Sequence, residues 1–412
     1  MSFAGGFSDL SRYQCTTKID NMNTNKSQRI LALDVLRGIT IAGMILVNNP
    51  GSWESIYTPL EHAPWIGLTP TDLVFPFFMF IMGISTYISM RKYNFEFSKA
   101  AAWKILKRTV VIFAIGLGIA WLSLSFRTYN SLADENLAFW ERLLQSVTNF
   151  GHLRILGVMP RLALCYGSAA IIAIVIKHKY IPVLAFTTLF AYFLILLFGN
   201  GFEQSEQNII SVIDRAVLGV NHMYKDAGLS IDPEGLLSTI PAICHVLIGF
   251  WCGELMMGVK ENSERVQRLF IVGTILAFSG FLLSYGCPIS KKIWSPTYAL
   301  LTCGLASNFL ALLIWIIDIK GYKTWCRFFE SFGVNPLFIY TTGAVLSILT
   351  GSFLCVHGLD GELVGLKAYT YKYILQPFLG DLPGSLAFAL LFVGVNWAIG
   401  YILYKKKIYI KI

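Results

Sequence analysis

The chain has 412 residues, 55% of them hydrophobic and only 14% charged, where a soluble domain carries roughly one quarter charged residues. Apolar runs of about 18 residues or more recur along its length, which marks an all-α polytopic membrane protein and not the alternating ten-residue pattern of a transmembrane β-barrel. The net charge of +9 does not point to nucleic acid, because the basic residues gather in alternate loops, as orientation in a bilayer requires.

Residues 1–28 are polar and mixed, without a basic start followed by an apolar stretch. They read as a disordered cytoplasmic tail and not as a cleaved signal peptide. From 29 to 412 no linker or internal repeat divides the chain, so a single transmembrane domain is expected. Ten spans are predicted, at 30–49, 72–90, 108–125, 155–176, 181–198, 236–258, 268–286, 295–317, 332–350 and 384–404. An even count puts both termini on one side. That side is the cytoplasm, since Arg91, Lys92, Lys99, Lys104, Lys107 and Arg108 follow the second span and Lys405, Lys406, Lys407 and Lys411 close the chain. The loop 50–71 holds no Lys or Arg and is therefore external. Loops 126–154, 199–235 and 351–383 are long and external, and long loops in a compact protein are usually functional. The last contains an aromatic-rich stretch, 366–379, broken by Pro377, which is expected to lie in the membrane interface without spanning it. The eight cysteines show no metal-binding spacing, and no metal site is expected. Cys287 and Cys355 fall in external loops and could pair, though nothing in their spacing requires it.

The residues that break the apolar pattern are the candidates for chemistry. Asp34 and Arg37 stand three apart on one face of the first span and can form a structural ion pair. Gly38 and Gly43 would let another helix approach closely. Asn48 ends that span before Asn49 and Pro50; its amide either caps the helix or donates to a developing oxyanion. His62 lies in the external loop beside Glu61, between Pro59 and Pro64, and is either a surface histidine or a proton carrier near neutral pH. In Thr69-Pro70-Thr71-Asp72, Asp72 sits at the capping-box position of the second span, or else fixes the tautomer of a histidine. Asp232-Pro233 reads as the N-cap and first residue of the sixth span. Arg154 and Arg161 flank the start of the fourth span, and an intramembrane arginine needs a partner, for which a phosphate-bearing ligand is one candidate.

Several blocks carry a family resemblance. LDVLRGITIAGMILVNN, EHAPWIGLTPTDLVFPFFMFIMGIS, RILGVMPRLALCY (154–166), DRAVLGVNHMY (214–224), DPEGLLSTIPAI (232–243), KKIWSPTYAL (291–300) and FGVNPLFIY (332–340) run in order. Together they resemble the heparan-α-glucosaminide N-acetyltransferase family and its bacterial relatives. The opening LDVLRG also resembles a wider class of membrane acyltransferases in which a histidine ends the first helix; here Asn48 takes that place. The resemblance implies transfer of an acetyl group from acetyl-CoA, as co-substrate, to the amino group of a glucosamine-containing sugar or oligosaccharide on the external side. It implies His62 as general base or transient acetyl carrier, Asn48 beside it, and Asp72 as supporting carboxylate. For the CoA phosphates the basic candidates are Arg154, Arg161, Lys104 and Arg108. A homodimer is implied as well. The large lumenal N-terminal domain of the animal enzyme has no counterpart here, so a bacterial inner membrane is expected. The rival from another class is an amino-sugar permease that moves its substrate without acyl transfer.

Overall fold

The computed structural model describes residues 30–133, 137–226, 228–359 and 361–410, and the tail 1–28 lies outside them. Helix α1 (Leu31–Val47) is followed by α2 (Thr71–Met90), α3 (Lys99–Ser131), the short external α4 (Phe139–Val147), α5 (Val158–Val175), α6 (Ile181–Phe198) and the short α7 (Ile209–Leu218). Then come α8 (Thr239–Met257), α9 (Asn262–Leu283), α10 (Pro296–Leu313, running on to Ile319), α11 (Cys326–Gly333), α12 (Pro336–Ile348, running on to Phe353) and α13 (Asp381–Lys405). Among the described residues nine helices are long and apolar enough to cross a membrane. Helix α1, with 17 residues and about 25 Å of length, completes ten. The chain is an all-α polytopic membrane protein; among the described residues the two strands, β1 (Cys355–His357) and β2 (Leu363–Gly365), form a small external hairpin.

Contacts between loops agree with the sidedness read from charge. External segments meet one another: Gly51 donates its N–H to Ser385 O at 3.2 Å, Gly67 to Ile289 O at 2.8 Å, and Ile155 to His222 O at 3.2 Å. On the cytoplasmic side Asn335 Nδ2 donates to Ile408 O at 2.8 Å, and Tyr404 Oη to Glu330 Oε2 at 2.9 Å.

In lipid there is little hydrophobic gain from bringing helices together, so close packing decides which pairs associate. Helices α2 and α8 touch through small residues: a Cβ placed on Gly83 would lie 2.2 Å from Val246 O. Gly38 of α1 faces α11 as tightly, where a Cβ would meet the Phe329 carbonyl. Arg37 reinforces that junction. It pairs with Asp34 at 3.1 Å and donates to Gly333 O at 3.1 Å and Ser85 Oγ at 3.0 Å, tying α1 to both α11 and α2.

Three sequence expectations need correction. Helix α3 has 33 residues and a length of about 50 Å, well beyond the predicted 108–125. Ser98 starts it early by accepting the Ala101 N–H on its Oγ at 3.1 Å, so the basic run at its head is helical. The ninth span begins at Pro336, not 332, because Asn335 before a proline leaves the helical region and separates α11 from α12. Asp232 is not a helix cap: α8 starts at Thr239, and 232–235 form a turn in which Asp232 Oδ1 accepts the Glu234 N–H at 2.9 Å. Cys287 and Cys355 are both free thiols, and Cys287 is buried. The stretch 366–379 folds as short helical turns (Leu366–Tyr369, Thr370–Leu375, Gln376–Leu379) outside the candidate spans.

Candidate active site

His62 and Asp72 come together at the external mouth of the bundle. Asp72 stands in the first turn of α2 with its carboxylate 1% exposed, while the His62 side chain stays 40% exposed. One carboxylate oxygen, Oδ1, lies 2.7 Å from His62 Nδ1. So short a contact between a ring nitrogen and an ionised carboxylate needs a proton between them, which Nδ1 carries; in the neutral imidazole Nε2 then keeps its lone pair. The other oxygen, Oδ2, accepts the N–H of Ala63 at 3.1 Å and that of Thr69 at 3.2 Å, and the Thr69 hydroxyl at 3.1 Å. Asp72 is therefore a capping residue and a histidine partner at once, one oxygen serving each. Tyr298 of α10 donates its hydroxyl to the Asp72 carbonyl at 2.7 Å and fixes the backbone beneath.

The loop around His62 is held rigidly. Trp65 Nε1 donates to Phe202 O at 2.7 Å, and Thr69 Oγ1 to Glu61 O at 2.6 Å. Below lies an aromatic floor, where the buried Trp294 meets Phe75 edge-on at 5.5 Å and Tyr298 at 5.2 Å.

Two cavities open here. One of about 300 Å³ is lined by His62, Asn48, Trp53, Glu234, Lys291 and Tyr340, among others. The larger, about 380 Å³, runs beside it down α3 as far as Gly116 and includes Ser123, Arg127 and His152. Both are bounded by Met44, Asn48, Arg154, Val158 and Tyr340, so Asn48 stands where they meet. His62 and Asn48 thus share the smaller cavity, the exposed Asn48 from the end of α1.

Arg154, on the boundary of both cavities, is held by two carboxylates. Its guanidinium donates to Asp232 through Nε at 3.0 Å and Nη2 at 2.6 Å, and to Glu234 Oε2 at 2.6 Å. Burial works against Glu234's charge, but Arg154, Arg161 and Lys291 outweigh it and hold the carboxyl below its usual range. Removing one partner of such a cluster leaves buried charge uncompensated. Arg154→Met is therefore expected to cost about 3 kcal/mol or more of stability, measured as a lower unfolding temperature in detergent. Adding Asp232→Asn and Glu234→Gln should recover part of it. An unchanged unfolding temperature in the single variant would contradict the cluster's structural weight.

The remaining basic residues singled out in the sequence lie apart from these cavities. Arg161 is fully buried and donates to Gly235 O at 3.0 Å and to Ser238 Oγ, with its guanidinium 5.2 Å from the Trp294 ring. It lines neither cavity. Lys104 donates to Ser89 Oγ at 2.7 Å, and Arg108 lies 4.5 Å over the Tyr166 ring, both near the cytoplasmic end of α3. Asp34 and Arg37 form an ion pair away from both cavities.

One residue at the site, Lys291, carries no local signal of a role in the sequence. Lys291, in the loop before α10, places Nζ 3.1 Å from His62 Nδ1, 3.5 Å from Nε2 and 3.5 Å from Asp72 Oδ1. What the sequence shows there is the pair Lys291-Lys292 in an external loop, against the charge bias of the rest of the chain.

Comparison with known sequences matches residues 29–285 to the profile described as "Heparan-alpha-glucosaminide N-acetyltransferase, catalytic". The mouse protein named heparan-alpha-glucosaminide N-acetyltransferase is 26% identical over 395 residues, covering 81% of this chain and 55% of its own length. The human protein of the same name is 24% identical over 441 residues, covering 93% of this chain and 60% of its own. The chain thus spans between half and two thirds of the length of these relatives.

Proposed function

The chain belongs to the heparan-alpha-glucosaminide N-acetyltransferase catalytic family, and from that premise we propose that it transfers an acetyl group from acetyl-CoA to the amino group of a glucosamine-containing sugar on the external side of the membrane. The observation that carries this is the His62–Asp72 pair, Nδ1 to Oδ1 at 2.7 Å, with Nε2 free of that bond at a cavity that Asn48 also lines. In the direct route the amine nitrogen attacks the thioester carbonyl, and Nε2 takes the proton that the amine must lose. The Asn48 amide donates to the carbonyl oxygen as it gains charge. The carbon–sulfur bond then breaks, the imidazolium returns its proton to the thiolate, and amide and free CoA leave. In the alternative route Nε2 itself attacks the thioester carbonyl and the carbon–sulfur bond breaks, expelling the CoA thiolate; the amine then takes the acetyl group from the acetyl-imidazole, freeing the ring nitrogen, and the proton it loses ends on the thiolate.

Asp72 keeps Nδ1–H in place throughout and stabilises the imidazolium when it forms. For the CoA phosphates, Lys104 and Arg108 are the better assignment. Arg154 is already bound by two carboxylates and Arg161 is fully buried. Arg108 lies eight residues before Gly116, the cytoplasmic limit of the larger cavity on α3, which is about 12 Å along the helix. A pantetheine arm entering there would climb that distance to reach Asn48. The membrane we assign is a bacterial inner membrane, with the acceptor an amino sugar or an oligosaccharide ending in one.

The test is a screen of purified protein with isotope-labelled acetyl-CoA and a panel of amino sugars, read by mass spectrometry. Labelled N-acetyl product from at least one glucosamine-type acceptor is expected. Hydrolysis of acetyl-CoA without any acetylated amine would overturn the assignment.

A further inference from the structure

The cations around the smaller cavity are not equivalent. Arg154 is held at 2.6 Å by both Asp232 and Glu234, and Lys292 is held at 2.6 Å by Asp226. Among the described residues the one carboxylate within 4 Å of Lys291 is Asp72, at 3.5 Å, and that oxygen already accepts from His62 at 2.7 Å. Its ammonium is therefore the least neutralised positive charge at the cavity. It also stands within 3.5 Å of Nε2, the nitrogen at which the reacting amine must arrive. A group that close to the base lies within hydrogen-bond reach of the carbonyl that the amine attacks.

We propose that Lys291 is a further catalytic residue, whose ammonium pairs with the negative charge that develops on the acetyl carbonyl oxygen. This rests on the acetyl-transfer reading of the site. When the amine nitrogen bonds to the carbonyl carbon, the π pair moves onto oxygen, and His62 gains a positive charge from the proton it accepts. An imidazolium beside an ammonium is unfavourable unless each has an anion beside it; Asp72 is one and the oxyanion supplies the other. Asp72 with the imidazolium, and Lys291 with the oxyanion, then form two balanced pairs. Asn48 lines the same cavity from the end of α1 and serves as the second donor. The charge is lost when the tetrahedral carbon expels the thiolate and the carbonyl re-forms. Lys291 therefore acts only in the transition state and need not tighten substrate binding.

The groups facing Lys291 are His62 from the external loop, Asp72 from α2, Glu234 from the turn before α8, and its neighbour Lys292. Burial pulls the ammonium below the ordinary lysine value, against the pull of Asp72 and Glu234. The charged form is the active one, so activity falls as pH rises through the titration of Lys291. An arginine at this position would keep its charge through that range.

The experiment measures kcat and KM for acetyl transfer across pH in wild type, His62→Ala, Lys291→Met and Lys291→Arg. Each is first checked for wild-type-like melting in detergent. Lys291→Met is expected to lower kcat about 10²–10³-fold with little change in KM. Lys291→Arg should retain more activity and lose the alkaline decline seen in wild type. A merely structural lysine would give neither the kcat-only loss nor the altered alkaline limb. If His62→Ala is inactive while Lys291→Met keeps wild-type kcat, the Lys291 proposal is overturned and acetyl transfer stands. If neither substitution lowers the rate, both fall.

Discussion

His62→Ala is expected to reduce acetyl transfer by about 10²–10⁴-fold, the range that a positioned general base contributes. With Nδ1 donating to Asp72, Nε2 is the nitrogen of the neutral ring that keeps a lone pair. Alanine removes that acceptor and leaves the Asp72 carboxylate facing Lys291 alone, at 3.5 Å. The fold should survive, since the His62 side chain is 40% exposed and loses little packing on truncation. The measurement is the rate with saturating acceptor, together with the melting temperature. A folded variant with undiminished rate would end the catalytic assignment. If acetyl-imidazole forms, wild type incubated with labelled acetyl-CoA alone will retain label that His62→Ala does not.

Asp72→Asn should be almost as damaging, for a different reason. The side-chain oxygen that accepts from Ala63, Thr69 and the Thr69 hydroxyl must remain an acceptor. The amide oxygen will therefore take that position, which turns the amide nitrogen toward His62. A nitrogen there donates, and Nδ1 must then accept. The imidazole proton moves to Nε2, and the base is lost with little change in geometry. A fall of roughly 10³–10⁴-fold in kcat is expected, the effect that tautomer reversal has in histidine–aspartate sites elsewhere. Asp72→Ala would add the loss of the cap, costing about 1 kcal/mol or more, and should melt lower than Asp72→Asn. Wild-type kcat in folded Asp72→Asn would show that the carboxylate does no more than start α2.

How much of this was legible beforehand depended on the range of each interaction. The spans were, because bilayer thickness imposes a run of apolar residues that no local detail obscures. Their ends were less so. The apolar run 332–350 hid the break at Asn335, although the proline after it carried the signal. Cap and histidine partner look like alternatives for Asp72 in the sequence, yet a carboxylate has two oxygens and each serves one role. Asp232 escapes local pattern because Asp-Pro has a common local meaning as a helix start, whereas its partner Arg154 lies 78 residues away. Lys291 is 229 residues from His62, and only the fold brings them together. Local pattern placed His62 and Asp72 on neighbouring turns of one loop and helix. It said nothing of the lysine that arrives from the far half of the chain.

His62 is external because the loop 50–71 that carries it holds no Lys or Arg. Proteoliposomes holding the protein in one orientation, with acetyl-CoA on the face of the Lys405–Lys407 end and the amino-sugar acceptor on the opposite face, test it most directly. N-acetylated sugar should accumulate on the acceptor's side, free CoA on the donor's, and His62→Ala should give neither. Product formed only when donor and acceptor share a face, or unmodified sugar crossing without acetyl-CoA, would contradict a transmembrane acetyl transfer at His62.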